Sequence, residues 1–345
     1  MKTTYMEDKE NRPHCLEQPA VEKALQRTFG VSDCDEIERM TKGLSNALSY
    51  RIVVKGHPYF LKIARTDELS APARYFEYMK EGAEAGIAPK VWYLNADDKI
   101  SITDFVEQKP FPVEKAKELM PGILRKLHKL PPFYKPENGS EYMDGMVRRV
   151  LAADYFPGNI ADEILRGYTR IQNLPPCPVE DLVSCHNDLK PENFIFDGEN
   201  AWIVDWEAAF LNDRYSDLAI IANFVADNDE DEHRYLQYYF EEEPDEHKEA
   251  RFFIMRQLLH IHYLAAFIFF ASKTVPIKID EGQTGFKDFH ERIWIGEIDL
   301  ADDNNKLQYA LVHLNRLLSN IHSTRFEKSL ACLSGRQLGR QLGTV

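Results

Sequence analysis

The stretch CHNDLKPENFIFDGENAWIVDWE, residues 185–207, constrains the fold of this 345-residue chain more than any other segment. Two short apolar runs, NFIF and AWIVDW, flank DGEN, which is a favourable turn sequence, so the stretch predicts a β-hairpin. Asp188 and Asn193 precede the first strand, and Asp205 ends the second. Because a hairpin brings its two ends together, we expect these oxygen-bearing side chains to converge.

Converging carboxylate and amide oxygens suit a hard cation such as Mg²⁺, and a carboxylate can also orient an attacking hydroxyl group. Phosphoryl transfer uses both functions, because the metal neutralises the phosphates while a carboxylate takes the proton of the acceptor. We therefore predict Asp188 as the catalytic base and Asn193 and Asp205 as Mg²⁺ ligands. Glu207, two residues beyond Asp205, is predicted to assist the metal directly or through water.

The first third of the chain predicts a small sheet with one helix on it. A helix is expected over residues 21–29, and LSYRIVV and YFLKIA, joined by KGHP, predict an antiparallel hairpin over residues 48–64. Apolar residues spaced by three and four predict an amphipathic helix in ELSAPARYFEYMKEGAEAG. KVWYL and KISITDFVE then predict two more strands.

The remainder of the chain has mainly helical periodicity. The predicted helices cover about residues 113–130, 141–156, 160–172, 215–240, 245–273 and 303–328. The chain is therefore predicted to be of the α+β class. Its predicted divisions are a flexible arm (1–18), an antiparallel-sheet nucleotide-binding lobe (19–107), a larger, mainly helical catalytic and substrate-binding lobe that carries the hairpin (108–330), and a disordered tail (331–345).

Several motifs resemble those of one family. HNDLKPEN resembles the catalytic loop of the kinase superfamily, and IVDWE takes the place of its metal-binding aspartate motif. The D-x-E form, followed by NDRYSDLA, resembles the choline/ethanolamine kinase and aminoglycoside phosphotransferase family, nearer the choline kinase branch. Four segments earlier in the chain also occur in the family's order: FLKIA, GIAP, ISITDFVE and LRKLHKLP. The resemblance therefore covers about residues 38–275. It implies a bilobal protein-kinase-like fold and an ATP-dependent O-phosphotransferase that uses Mg²⁺.

The resemblance also implies roles for residues outside the hairpin ends. Lys62 of FLKIA takes the place of the family's phosphate-binding lysine, and Glu77 that of its partner glutamate, with Glu81 and Glu84 as competing choices. Lys190 is placed where it can reach the transferred phosphate. We therefore expect Lys62 and Glu77 at the nucleotide and Lys190 beside the catalytic base.

Two further residues are implied to support the catalytic loop rather than to act on the substrate. His186 is expected to brace the loop by hydrogen bonds, and Asp217 of RYSDLA resembles an aspartate with the same task. His128 of LHKL is predicted to be a buried, hydrogen-bonded histidine.

The nucleotide site is predicted from two segments. TKGLSNALS, residues 41–49, lacks a G-x-G-x-x-G pattern, but its backbone N–H groups and the Ser45 and Asn46 side chains can face the phosphates. The resemblance places the adenine at the backbone near Asp104 and Val106, where ISITDFVE resembles the hinge strand. These side chains leave ATP and GTP open, and ATP is taken as the nucleotide.

The acceptor is predicted to be a small, hydroxyl-bearing and cationic molecule. The net charge is −14, and residues 223–247 are rich in acidic and aromatic side chains, which suit an ammonium group through charge and cation–π contact. A solvated acidic surface explains the same segment equally well. A choline/ethanolamine, aminoglycoside or thiamine-like acceptor and a sugar all remain open. The segment IHYLAAFIFFA lacks the tryptophan that the choline kinase pattern usually has there.

The same composition limits the partners. An acidic chain argues against a nucleic-acid partner. The most apolar stretch, residues 263–271, is shorter than the ~20 residues that span a bilayer. We therefore expect a cytoplasmic protein without membrane insertion, as a monomer or a homodimer. The rival functions are a protein kinase acting on a peptide hydroxyl and a catalytically silent nucleotide-binding protein. The chain retains Lys62, Asp188, Asn193 and Asp205, which argues against the catalytically silent protein.

Overall fold

The computed structural model describes residues 19–40, 47–64, 72–137, 139–277, 279 and 285–335. The elements in chain order are α1 (Pro19–Phe29), β1 (Glu36–Met40), β2 (Leu48–Val54), β3 (His57–Ile63), α2 (Pro72–Glu84), β4 (Val91–Asn95), β5 (Ile100–Asp104), α3 (Val113–Leu127), α4 (Gly139–Ala152), α5 (Ile160–Gln172), β6 (Leu182–Cys185), β7 (Phe194–Phe196), β8 (Ala201–Ile203), β9 (Phe210–Asp213), α6 (Arg214–Val225), α7 (Asp229–Phe240), α8 (Glu246–Ala271), α9 (Phe286–Trp294), α10 (Asp303–Ile321) and α11 (Thr324–Leu333). This is the predicted α+β composition, with strands early and helices late.

The chain divides into two compact units. Unit 1 comprises Met1–Lys109 together with Phe194–Glu207, and unit 2 comprises Pro110–Asn193 and Ala208–Val345. Unit 1 is built on an antiparallel five-stranded sheet in the order β1-β2-β3-β5-β4. In β3, Tyr59, Leu61 and Ile63 point into the core, so Lys62 between them points to the other face of the sheet. The core that Tyr59, Leu61 and Ile63 enter also includes Val21 and Leu25 of α1.

The predicted hairpin exists, as β7 and β8 joined by the DGEN turn. Phe194 pairs with Ile203 and Phe196 with Ala201, and the Asp197 carboxylate accepts the N–H groups of Glu199 and Asn200. The sequence predicts this hairpin within the helical lobe of residues 108–330, whereas its segment groups with unit 1.

Two backbone hydrogen bonds tie the hairpin to unit 1. The N–H of Ile203 donates to the Ile87 carbonyl, and the N–H of Lys109 donates to the Phe196 carbonyl, each at 2.7 Å. The hairpin is therefore a structural part of the sheet unit, although it lies far away in sequence.

A close contact between α2 and the chain after β8 fixes the position of Trp206. A Cβ on Gly82 would lie 2.5 Å from Cζ2 and 2.7 Å from Cη2 of this indole, and Trp206 itself is almost fully buried. The glycine is thus required by the approach of the ring. Since Asp205 and Glu207 flank Trp206, the same contact positions both carboxylates.

Gly82→Ala is expected to lower the free energy of unfolding by about 1–3 kcal/mol, because the added methyl overpacks the buried indole. Chemical denaturation of the variant measures the change. The control is Gly145→Ala in α4, where an added Cβ meets nothing within 4 Å and alanine should stabilise the helix by about 0.5–1 kcal/mol. Equal stability changes in the two variants would contradict this account of Gly82.

Unit 2 is organised around α8. This helix packs against α4, α6, α10 and α11, and its buried residues join those of its neighbours in one core that includes Ile261, Leu264, Leu314 and Leu317. Among the described residues, α8 alone is long and apolar enough to cross a membrane, with 26 residues and a mean hydropathy of 1.4 in its apolar window. Because 61% of that window is buried inside the protein, this is weak evidence for a span.

The structure departs from the sequence expectation at several elements. The helix expected over residues 215–240 is two helices, because Asn228 caps α7 by accepting the N–H of Asp231. The short strands β1, β6 and β9 and the helix α9 were not predicted. α11 extends to Leu333, so the first residues of the expected tail are helical; the rest of that tail and the expected arm lie outside the described residues.

Candidate active site

Unit 1 brings Lys62, Asp205 and Glu207 together. The Lys62 Nζ lies 3.1 Å from Asp205 Oδ1 and 3.1 Å from Glu207 Oε1. Burial lowers the pKa of Lys62, but the charges of the two carboxylates outweigh it, so the pKa of the amine is raised above its usual value. Lys62 is therefore a fixed cation on the face of the sheet that points away from the core.

The backbone at Asp205 is unusual for a residue other than glycine. Its φ is +66°, in the left-handed region that few side chains adopt and that is found preferentially at functional positions. β8 ends at Ile203, and only Val204 separates Asp205 from this strand. The conformation turns the chain sharply, and Trp206 anchors the turned segment through Gly82.

The carboxylates in this cluster have the chemistry of a magnesium site. Each uses one oxygen for Lys62, Oδ1 of Asp205 and Oε1 of Glu207, and each has a second oxygen. Their side chains are only partly exposed, at 30% and 25%. Hard oxygen donors of this type are what Mg²⁺ selects, so Asp205 and Glu207 fit the predicted metal.

Glu77, the predicted partner of Lys62, is not part of this cluster. Among the residues that the structure describes, it is exposed on α2 and forms no ion pair with Lys62, whose carboxylate partners are Asp205 and Glu207. Of the competing choices, Glu84 lies 3.7 Å from Lys80 in an exposed pair, and Glu81 is half-buried.

The other predicted nucleotide residues divide into two sets. Ser45 and Asn46 lie outside the described residues. Asp104 and Val106 line a cavity of about 620 Å³ in unit 1, to which Tyr59 and Trp202 also contribute. Lys62 is not among its lining residues, and Tyr59 points to the opposite face of β3.

The Asp104 carboxylate already accepts a hydrogen bond from another residue of this cavity. Its Oδ1 accepts a 2.6 Å hydrogen bond from the indole Nε1 of Trp92. The main chain of residues 104–106, rather than the Asp104 carboxylate, is therefore what this segment can offer to a base.

Unit 2 brings Asp188, Lys190 and Asn193 together. The amide Nδ2 of Asn193 donates to the Asp188 carbonyl at 2.7 Å and to its carboxylate Oδ2 at 3.0 Å. Lys190 Nζ lies 2.9 Å from the same Oδ2. The Asp188 carboxylate is thus fixed on one oxygen, and its side chain is still 39% exposed, as a base that receives a proton from a substrate must be.

Asn193 is buried, and its amide has a defined orientation. Because the nitrogen end is held by Asp188, the oxygen end points elsewhere and can serve a cation. Asn193 belongs to unit 2 and Asp205 to unit 1.

Asp217 braces the loop that carries Asp188, as the resemblance implied. Its buried carboxylate accepts the backbone N–H groups of His186 at 2.9 Å and Asn187 at 2.8 Å. Asn187 has a φ of +63°, and its amide receives a 2.7 Å hydrogen bond from Asn212. The loop is therefore held in a strained conformation by side chains of β9 and α6.

Buried side chains also hold the Asp217 carboxylate in place. His128 Nε2 lies 3.2 Å from Asp217 Oδ2, and His128 Nδ1 lies 2.7 Å from the Tyr239 hydroxyl. Cys185 completes a cluster with His128 and Asp217 whose ligand atoms lie within 4.8 Å of one another. Burial raises the pKa of the Cys185 thiol well above its usual value. Both oxygens of Asp217 already accept loop amides, so the cluster is explained as a structural support. The sequence analysis gave no role to Asn212, although it begins the NDRYSDLA motif, or to Tyr239, which lies outside the motifs.

An acidic and aromatic group lies on the Asp188 side of unit 2. Burial, then the charges of Asp188 and Asp299 acting against Lys190, raise the pKa of Glu192. Burial and the Asp188 charge also raise the pKa values of the Tyr263 and Tyr309 phenols. The charge of Asp188, the predicted catalytic base, therefore acts on all three side chains.

The strand-rich unit with a buried lysine and the helical unit with a braced H-x-D loop together define a kinase-like phosphotransferase fold. The family model of the phosphotransferase enzyme family, APH, matches residues 36–253, which is more than half of the chain. The chain therefore belongs to the phosphotransferase enzyme family.

Solved structures show the same fold. A choline/ethanolamine kinase family protein from Mesorhizobium loti aligns with a TM-score of 0.65 and 20% identity, over 91% of this chain and 98% of that one. Choline kinase LicA from Streptococcus pneumoniae aligns with a TM-score of 0.58 and 16% identity, over 88% and 100%. At these identities the likeness concerns the fold.

A curated relative matches a shorter part. Protein LicA of Haemophilus influenzae is 35% identical over 81 residues, which are 24% of this chain. The match spans only 30% of that relative's length. The acceptor must therefore be argued from this chain's own residues.

Proposed function

We propose that the protein is an ATP-dependent O-phosphotransferase that transfers the γ-phosphoryl group to a hydroxyl of a small, cationic acceptor. The observation that carries the proposal is the Asp188 carboxylate, which is fixed by Asn193 and Lys190 yet remains accessible. A carboxylate held in this way can take the proton of an attacking alcohol. We further propose that residues 19–107 bind the nucleotide and that residues 108–330 are the catalytic and acceptor-binding part, whose 194–207 segment supplies metal ligands to the nucleotide.

The nucleotide side of the proposal rests on the Lys62 cluster. Lys62 would bind the phosphates, and Asp205, Glu207 and Asn193 would hold Mg²⁺, which would neutralise phosphate charge. Lys62 donates to one oxygen of Asp205 and one of Glu207, which keeps all three side chains in place. The backbone near Asp104 and Val106 is proposed to contact the adenine, because the Asp104 carboxylate is already paired with Trp92.

The acceptor side follows from the balance of the reaction. The hydroxyl oxygen forms a bond to the γ-phosphorus, the bond to the bridging oxygen of the diphosphate breaks, and Asp188 receives the hydroxyl proton. Lys190, which lies 2.9 Å from Asp188, supplies a positive charge for the phosphoryl group during transfer. This arrangement needs no covalent enzyme intermediate.

A cationic acceptor is supported by the surroundings of Asp188. The carboxylates of Asp188 and Asp299 both act on the pKa of Glu192, and Lys190 acts on it with the opposite sign. The phenols of Tyr263 and Tyr309 add polarisable rings. An ammonium group is stabilised by both features.

The proposal is tested by measuring ATP consumption with and without Mg²⁺ over amino alcohols, aminoglycosides, thiamine and sugars. We expect Mg²⁺-dependent transfer to at least one amine-bearing alcohol, with the phosphate ester identified by ³¹P NMR. Preferential phosphorylation of a generic protein substrate would instead favour a protein kinase. Nucleotide binding without transfer to any acceptor would favour a silent binding protein.

A further inference from the structure

The cavity of about 620 Å³ in unit 1 is not part of the Lys62 cluster. Tyr59 lines it, whereas Lys62, which points to the opposite face of β3, does not. The other walls come from β4, from the chain after β5 and from the hairpin β7–β8. Because all of these segments belong to unit 1, the cavity is complete within one compact unit, and the proposed phosphate contacts do not account for it.

Aromatic side chains from four segments of the chain line this cavity. They are Tyr59, Trp92, Phe105 and Trp202. Single exposed aromatic residues are ordinary on a protein surface, but these four converge on one concavity. Trp92 is 39% exposed, and Trp202 is partly exposed between two buried residues of β8. The cavity therefore offers aromatic surface that solvent can reach.

A β-bulge sets the position of Trp92. Val91 pairs with Thr103 and Tyr93 with Ile102, so β4 has one more residue than β5 over this step, and Trp92 is the extra one. Bulges re-aim side chains and are over-represented beside functional sites. The sheet thus departs from a regular ladder at the residue that presents its indole to the cavity.

The Trp92 ring is held in place and already attracts a cation. Its Nε1 donates to Asp104 Oδ1 at 2.6 Å, and Tyr59 meets the ring edge-to-face, with 5.6 Å between centroids. Lys90 Nζ lies 3.8 Å from the centroid of the indole ring, well within the ~6 Å of a cation–π contact. Because Lys90 is exposed, its ammonium group is free to give way to a ligand.

The charged side chains of the cavity wall leave an excess of negative charge. Asp104, Glu107 and Asp197 are carboxylates, and Lys109 is an ammonium group. Lys109 Nζ lies at the hairpin turn, 3.1 Å from the position that a Cβ on Gly198 would take. Its charge, after the hydrogen bonds of two backbone N–H groups, lowers the pKa of Asp197. Lys109 thus offsets Asp197, while Glu107 is exposed and has no ion pair with any residue that the structure describes.

We propose that this cavity binds a small organic cation, an alkylammonium or a guanidinium compound, against the Trp92 indole with Asp104 and Glu107 as counter-charges. An aromatic face and a carboxylate each stabilise a cation, and the volume is that of a small-molecule site. The proposed function places the phosphoryl acceptor at Asp188 in unit 2, so this is a second site. A ligand in it would link the chain after β5 to the hairpin that leads to Asp205.

The four tryptophans of the chain provide the test. Trp92 and Trp202 line the cavity, whereas Trp206 and Trp294 do not. The full-length protein is labelled with ¹⁵N at the indole nitrogens, and the cavity signals are assigned with Trp92→Phe and Trp202→Phe. Tetramethylammonium or guanidinium is then added at constant ionic strength. We expect saturable shifts of the Trp92 and Trp202 signals with at least one of these cations, and much smaller shifts at Trp206 and Trp294.

Neutral analogues and variants identify what holds the ligand. tert-Butanol and urea keep nearly the shapes of the two cations without the charge, and their affinity should be lower by about tenfold or more. Trp92→Leu, followed at the Trp202 signal, should weaken binding of the cation by about fivefold, the value of a cation–π contact at a partly exposed ring. Glu107→Gln should weaken it by up to about fivefold. Tyr142→Leu, at a 65% exposed tyrosine of α4, is the matched control and should leave the affinity unchanged.

Several outcomes would overturn this site. They are equal affinity for the neutral analogues, an affinity that Trp92→Leu and Glu107→Gln both leave unchanged, and absence of any saturable shift. Shifts confined to Trp206 would place the cation at the adjacent Asp205 and Glu207 instead. If Trp92→Leu does not fold, Glu107→Gln and the neutral analogues decide. None of these measurements uses turnover, so they remain valid if the proposed phosphoryl transfer fails.

Discussion

Asp188→Ala is expected to lower turnover by about 10³-fold, the usual contribution of a positioned general base, while ATP binding is retained. The physical reason is the division of tasks between the units. Lys62, Asp205 and Glu207 are all in unit 1, so the proposed phosphate contacts do not depend on the Asp188 carboxylate. Removing this side chain also leaves the Lys190 and Asn193 side chains without their shared partner.

The measurement is phosphate-ester formation with the true acceptor, alongside ATP affinity by isothermal titration calorimetry. Asp188→Asn is the more conservative variant, because it keeps the shape and loses the basic oxygen, and it should be impaired to a similar degree. Asp162→Ala, at an exposed aspartate of α5, controls for the general loss of a carboxylate. Near-full turnover in Asp188→Ala would show that another group accepts the proton.

Acidification below about pH 6.5 is expected to destabilise the protein steeply, because several histidines are buried in the neutral form. Burial lowers the pKa of His290 to about 3 and that of the partly exposed His262 to about 4, and lowers those of His260 and His313 well below 6.5. The unfolded chain takes up these protons near pH 6.5, and the folded protein does not until much lower pH. Stability is thus fully present above pH 6.5 and is lost as the pH falls, by about 1.4 kcal/mol per pH unit for each histidine.

At pH 5 the loss would reach about 2 kcal/mol for each buried histidine, so a few of them together rival the whole stability of a typical domain. Urea unfolding between pH 7.5 and 5 measures the slope. His262→Phe should reduce that slope by about 1.4 kcal/mol per pH unit, whereas His322→Gln, at a side chain that is 63% exposed, should not change it. A flat stability curve over this range would show that the imidazoles are protonated, or hydrated, in the folded protein.

The sequence predicted those parts of the fold that depend on local patterns. The hairpin β2–β3, the helix α5 and the strand pair β7–β8 follow from periodicity and turn chemistry, and the structure has them at or near the expected residues. β1 escaped prediction because its residues, EIERM, are almost all exposed and show no alternation. The four-residue strands β6 and β9 are too short to show a period. In α9, Phe286, Phe289 and Ile293 do have helical spacing, which the sequence analysis did not use.

The site was predictable where one motif contains all the partners. Asp188, Lys190 and Asn193 lie within six residues of sequence and meet in space. The carboxylate partner of Lys62 was not predictable in the same way. The sequence offered glutamates on α2, whereas the structure pairs Lys62 with Asp205 and Glu207, more than 140 residues away. A lysine on a strand does not reveal which distant carboxylate faces it.

The His290–Tyr309 pair illustrates the same limit. The two residues belong to different helices, and neither lies in a motif, so only packing shows that they meet. The Tyr309 hydroxyl donates to His290 Nε2, because His290 Nδ1 donates to a third group, the Phe286 carbonyl. Such information exists in no single stretch of the chain.

The discontinuous make-up of unit 1 has a consequence for engineering. Residues 194–207 supply the hydrogen-bond partners of Ile87 and Lys109 and the counter-ions of Lys62. A fragment that stops at residue 109 would therefore leave the Ile87 carbonyl and the Lys109 N–H without partners and Lys62 without its counter-ions. Chimeras that exchange the phosphate-handling module between homologues need junctions at 193/194 and 207/208 as well as at 109/110, so a single recombination event cannot transplant it intact.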